Sequence, residues 1–224
     1  RFSDSQRHAP APDPIAVLDA LPLPSDAARR ALLLGLSEVF CRADHDTDAF
    51  VARGAGLDFA VTGDAWSTSA ALPFLYRRAG PEAALAAMDA LARPLPGWVL
   101  TPPVADLVRL CIADDARRPA TLRARLIEAV LRFVQDRAAT YWGRAACTEL
   151  TAAMADLLAT GDRLPEALHR KAMGVALSAY ALSPAFWARV GDAALPPEAA
   201  RARAAFARLE TDRTAGDGPG IDAA

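Results

Sequence analysis

Apolar residues recur at intervals of three and four along most of this chain, the spacing of one face of a helix. The longest such run is Thr121–Ala159, which contains no proline and a single glycine, Gly143. Leu122, Leu126, Ile127, Val130, Phe133, Val134 and Tyr141 fall on one broad arc of a helical wheel, and Leu150, Met154, Leu157 and Leu158 form a second series. One straight helix of this length would span roughly 60 Å, against a radius of gyration of about 17 Å for a compact chain of this size. The pattern therefore predicts two core helices in contact, a break near Gly143, and a stop at Gly161, where a left-handed cap is least costly.

The remaining elements are shorter and punctuated by Pro and Gly. Residues 1–12 read as an extended arm. Asp13-Pro14 opens a short helix to about Leu21, and Ser25 caps a helix to about Arg42. Leu32, Leu33, Leu36, Val39 and Phe40 mark the expected core face of that helix. Thr47–Arg53 is a further short helix, stopped by Gly54 and Gly56. Leu57–Thr62 has the composition of a strand, but a lone strand makes no sheet, so it reads as an extended segment packed on the core. Ser67 is the expected cap of a helix to about Ala79, and Pro81–Ala92 follows. The proline-rich connector Arg93–Thr101 carries Trp98, and Thr101-Pro102-Pro103 opens a helix to about Asp114. Beyond Gly161, helices are predicted from Pro165 to about Leu182, over Pro184–Val190, and from Pro196-Pro197 to about Leu209. Residues 211–224, with three Gly, one Pro and few apolar groups, read as a disordered tail. The expected fold is thus all-α, an irregular single-domain helical bundle or short helical array of about ten helices over residues 13–210. No fixed period of 30–45 residues marks a solenoid.

Composition adds bounds rather than identity. With 224 residues, 53% of them hydrophobic, the chain can bury a real core. A net charge of −2 gives no electrostatic case for nucleic acid. Basic residues are nearly all Arg, with Lys171 the one lysine, a bias typical of high-GC bacterial coding. Cys41, Cys111 and Cys147 are odd in number, far apart and set among apolar residues, which suits reduced buried thiols and a cytoplasmic protein. No apolar run reaches the length of a membrane span.

The richest string in candidate chemistry is Val39–Phe50, with Asp44, Asp46 and Asp48 around His45. A calcium loop is excluded, because Ala49 stands where its glycine belongs and Ala55 where its bidentate acid belongs. Asp44 and Asp48, one helical turn apart, can share a hard cation. With Cys41-Arg42 just before them, they resemble the first aspartate-rich motif of squalene and phytoene synthases. That resemblance implies an all-helical enzyme binding a diphosphate through Mg²⁺, and it covers about ten residues. The family's second aspartate motif, with its Asn and Arg-Asp pair, has no counterpart in Leu131–Asp136. Glu38, Cys41 and His45 form a second candidate, three zinc-ligand types projected onto one helix side opposite the leucines. Both sets are incomplete, so no metal or other cofactor is expected.

Arginines offer the other candidate chemistry. Arg118, Arg125 and Arg132 are spaced to share a face and could meet an anion or an acidic partner. Arg137 projects onto the apolar arc with Phe133 and Val134, where it would need a buried carboxylate or a bound anion. His169, followed by Arg170 and Lys171, is expected in solvent. Trp66, Trp98, Trp142 and Trp187 read as plugs at helix ends or as the lining of a groove. The expected function is accordingly non-enzymatic: a structural or protein-interaction subunit presenting an apolar and Arg-rich helical surface to a protein partner. The alternative is an all-helical enzyme or small-ligand binder using Asp44, Asp48 and Arg137.

Overall fold

The structure is a computed structural model that describes residues 13–41, 47–113, 120–138, 148–159, 164–191 and 195–216. These contain eleven helices and no strand. In chain order they are α1 Pro14–Ala20, α2 Asp26–Phe40, α3 Thr47–Ala52, α4 Ala65–Ala79, α5 Pro81–Leu91 and α6 Thr101–Ala113. There follow α7 Ala120–Ala138, α8 Thr148–Ala159, α9 Glu166–Tyr180, α10 Pro184–Val190 and α11 Pro197–Gly216.

Their ends follow local chemistry. Asp13 accepts from the amide of Ile15 (3.0 Å) and Ser25 from that of Ala28 (3.2 Å), as the sequence predicts. The cap of α4 is Asp64 rather than Ser67: its carboxylate accepts from the Ser67 amide at 2.7 Å, and Ser67 is the donor. That bond holds the Asp64 carboxyl below its usual range. Pro73 sits inside α4 without ending it. The last helix runs to Gly216, so residues 211–216 are helical where a disordered tail is predicted. Residues 211–214 are nevertheless exposed. Deleting 211–224 is therefore expected to change stability by under about 0.5 kcal/mol in urea unfolding; a larger loss would show that the segment docks.

The organising helix is α6. It packs on α2, α4, α7 and α8, and Val104, Ala105, Leu107 and Val108 are wholly enclosed. The long run after Thr121 does form two core helices, α7 and α8, as its pattern predicts, but they pack on α6 and α9 rather than on each other. Leu126, Ile127, Val130 and Val134 of α7 are buried, as are Leu150, Met154, Leu157 and Leu158 of α8. Both helices lean on α6. Gly143 and Gly161, the predicted break and cap, lie outside the described residues.

Leu57–Thr62 runs extended, with Leu57 and Phe59 buried and Asp58 and Ala60 outside. It has no neighbouring strand, and arginines bond its carbonyls instead. Arg30 Nη1 donates to Asp58 O at 2.8 Å, and Arg78 Nη1 donates to Leu57 O. Arg29 does the same one turn earlier, at the Arg53 carbonyl (3.2 Å). Guanidinium donors thus take the place of a ladder.

Candidate functional site

The face of α2 turned to the core is the predicted one except at Val39, with Leu32 and Leu36 partly buried against the core. Leu33, Ser37 and Phe40 are buried with Cys41, whereas Val39 is 44% exposed and Glu38 is exposed. Ser37 lies on the same side, and its hydroxyl meets the Leu33 and Ala70 carbonyls at 3.0 and 2.9 Å and joins α2 to α4. As a result Glu38 and Cys41 point to different environments, outside and inside. Burial pushes the Cys41 thiol pKa up, away from the thiolate a metal needs. Asp44 and His45 lie outside the described residues. Asp48 pairs with Arg77 of α4. Among the described residues no group of three or more His, Cys, Asp or Glu side chains is placed to hold a metal ion.

This corner of the molecule holds a polar cluster that the sequence pattern does not disclose. Asp106, on the middle turn of α6, is only 4% exposed. Burial pushes its carboxyl up to about 6, against the opposing pull of Arg109 and Arg77. Nearby Asp48 adds to the rise, and a hydrogen bond from Thr47 counters it. Thr47 also donates to the Phe40 carbonyl at 3.0 Å. Arg109 Nη1 stands 3.9 Å from Asp106 Oδ1, a long ion pair. Asp106 Oδ2 and the Nε and Nη2 atoms of Arg109 are enclosed and have no hydrogen-bond partner. A buried acid with a displaced pKa beside a cleft is where ligand or proton chemistry is found.

The cleft adjoins the cluster. It measures about 470 Å³ and lies between α3, the turn after it and the end of α4, with Asp48, Val51, Gly54, Phe74, Arg77 and Arg78 in its walls. Two glycines shape it. Gly56 has φ +82°, which a side chain would strain, and a Cβ on Gly54 would stand 2.5 Å from the Phe74 ring.

The arginine candidates divide. Arg118 and the side chain of Arg137 lie outside what is described. Arg125 and Arg132 are exposed on α7, as the spacing predicts. Arg132 borders a groove of about 350 Å³ between α5 and α7, floored by Met88, Leu91 and Phe133 and flanked by Arg93. From Arg93 the connector passes to α4, where the Ala65 amide donates to Pro96 O at 2.8 Å. This holds Gly97 against the backbone of Ala65 and Trp66; Trp98 is 76% exposed, Trp66 36% exposed, and Val61 is also outside. Trp187, by contrast, is buried and donates to Ala181 O at 2.8 Å. His169 is half-buried rather than solvated, and its Nε2 is enclosed without a partner. Trp142 lies outside the described residues.

The signal that could have found the cluster is Asp106 itself, an acid in the otherwise apolar turn Val104–Val108 of a proline-capped helix. Among the described residues no helix is long and apolar enough to cross a membrane. Compared with protein-family models, curated proteins and solved structures, the chain finds no match in any of the three.

Proposed function

We propose that this protein is a non-enzymatic interaction subunit that binds a protein partner through the surface running from the α5–α7 groove to Trp98 and Trp66. The observation that carries the reading is the exposure of two tryptophans on one edge of a molecule whose core is otherwise well filled. Trp and Arg dominate the energetics of protein interfaces, and this strip offers both, with Arg132 and Arg93 at the groove. Buried free thiols at Cys41 and Cys111 suit a reducing, cytoplasmic setting for such a subunit.

The test compares the tagged wild type with the Trp66→Ser/Trp98→Ser variant, both expressed in the native source and purified under the same conditions. A stoichiometric protein partner is expected with the wild type and at least about tenfold less of it with the variant, the loss of roughly 1.4 kcal/mol or more. Both proteins should give the same helical circular dichroism. Equal recovery of the partner by the two would refute the assigned surface.

A further inference from the structure

The extended segment Leu57–Thr62 carries backbone groups that the chain itself does not use. Its ends are bonded. The Leu57 amide donates to Gly54 O at 3.0 Å, and the Leu57 carbonyl accepts from Arg78. Arg30 holds the Asp58 carbonyl at 2.8 Å. Thr68 Oγ1 accepts from the Thr62 amide and donates to the Thr62 carbonyl, both at 3.2 Å. Between these ends, the amides and carbonyls of Phe59, Ala60 and Val61 have no hydrogen-bond partner among the described residues. A backbone group without a partner inside a protein is one that meets water. Ala60 and Val61 are exposed, Val61 by 41%, while the Phe59 ring is held beneath the segment by its stack on Phe74.

The unused groups divide between two edges. In an extended chain the amide and carbonyl of one residue point to the same edge, and successive residues point to opposite ones. Asp58, Ala60 and Thr62 share one edge, where Arg30 and Thr68 stand on either side of Ala60. Leu57, Phe59 and Val61 share the other. On that edge the bonds of Leu57 close one end, and Phe59 and Val61 each offer an amide and a carbonyl. An open edge of this kind is a template for another strand.

We infer that the Phe59–Val61 edge pairs with the same edge of a second copy of this chain, antiparallel, about a two-fold axis at Ala60. The set of free groups is its own complement. Phe59 exchanges both bonds with Val61 of the second copy, and Val61 exchanges both with Phe59, the match that an isologous contact requires. The charges agree with this register. Asp58, whose side chain is 85% exposed, comes opposite Thr62 of the second copy and not opposite another acid. Ala60 faces Ala60 at the axis, in the kind of pair whose side chains come closest, and a methyl leaves the two backbones free to approach. The contact uses neither Trp66 nor Trp98 and is independent of the partner surface proposed above.

Sedimentation equilibrium of the full chain, from about 10 µM to about 1 mM, tests it. The wild type is expected to dimerise reversibly with a dissociation constant of about 0.1 mM, the weak affinity of a short ladder. Ala60→Glu and Ala60→Lys each set like charges face to face at the axis, so each alone should dimerise about fivefold more weakly or worse. Their circular dichroism and urea unfolding should match wild type, because Ala60 is exposed. An equimolar mixture of the two should dimerise at least as tightly as wild type, since the facing charges are then opposite. Val61→Pro removes a donor that the single chain does not use and should weaken the dimer by about tenfold or more. A wild type still monomeric at about 1 mM would overturn the assignment and leave the edge to a strand of another protein. Like-charged variants that dimerise as wild type does, or a mixture no tighter than its components, would overturn it as well.

Discussion

Replacing Asp106 by Asn is expected to stabilise the protein at pH 7 by about 1–3 kcal/mol. The carboxyl titrates near 6 in the folded chain instead of its usual 3.8, chiefly because it is buried. Holding it ionised at neutral pH therefore costs the folded state about 3 kcal/mol. A raised pKa means that the folded state binds the proton more tightly than the unfolded one. The stabilising effect of that proton is complete below about pH 4 and is lost as pH rises through about 6. Asn resembles the protonated acid at every pH. The gain from Asp106→Asn should thus be largest above pH 6 and vanish near pH 4. The lower bound allows for imperfect geometry of the amide against Thr47 and Arg109. Urea unfolding at pH 4, 5, 6 and 7 measures it, and at roughly 2–4 °C per kcal/mol the melting temperature follows. A variant less stable than wild type at pH 7 would mean that Arg109 depends on the charge more than burial opposes it.

Phe74→Ala should cost about 3–5 kcal/mol, the usual loss for a buried phenylalanine. The ring is 2% exposed, stacks on Phe59 at 4.3 Å and meets the edge of Phe50 at 5.4 Å. Phe50 in turn stacks on Phe40 at 4.5 Å, so the four rings tie α2, α3, the extended segment and α4 together. Gly54→Ala should cost about 1–3 kcal/mol by overpacking, because its new methyl would stand 2.5 Å from Cδ1 of Phe74. In the double variant the methyl enters the space the ring has left. The combined loss should then fall short of the sum of the single losses by about 1 kcal/mol or more, measured by urea unfolding. Additive losses would show that Gly54 is needed only for its backbone and not for the approach of the ring.

The same contrast between pattern and packing runs through the whole chain. Sequence alone determined the all-α class, the positions of α7 and α8, the Asp13 and Ser25 caps and the extended character of Leu57–Thr62. Each of these depends on neighbours within a few residues: apolar spacing, a side chain returning to a nearby amide, or a segment with no partner strand. The end of α11 was not legible, because residues 211–216 are poor in apolar groups yet continue a helix already nucleated, and extending a helix is easier than starting one. The core face of α2 was legible except at Val39. Leu33 and Phe40 face inward as the apolar spacing predicts, and a hydroxyl bond from Ser37 to a carbonyl on α4 ties that side down. That packing took Cys41 inside and left Glu38 outside, dividing a ligand set that the helical wheel had placed together. Tertiary structure alone also made α6 the helix on which the others lean. It brought Asp106 and Arg109 near Asp48 and Arg77, groups spread over three different helices. A charged group becomes a site through what surrounds it. Its desolvation and its partners come from helices distant in sequence, which no local pattern records.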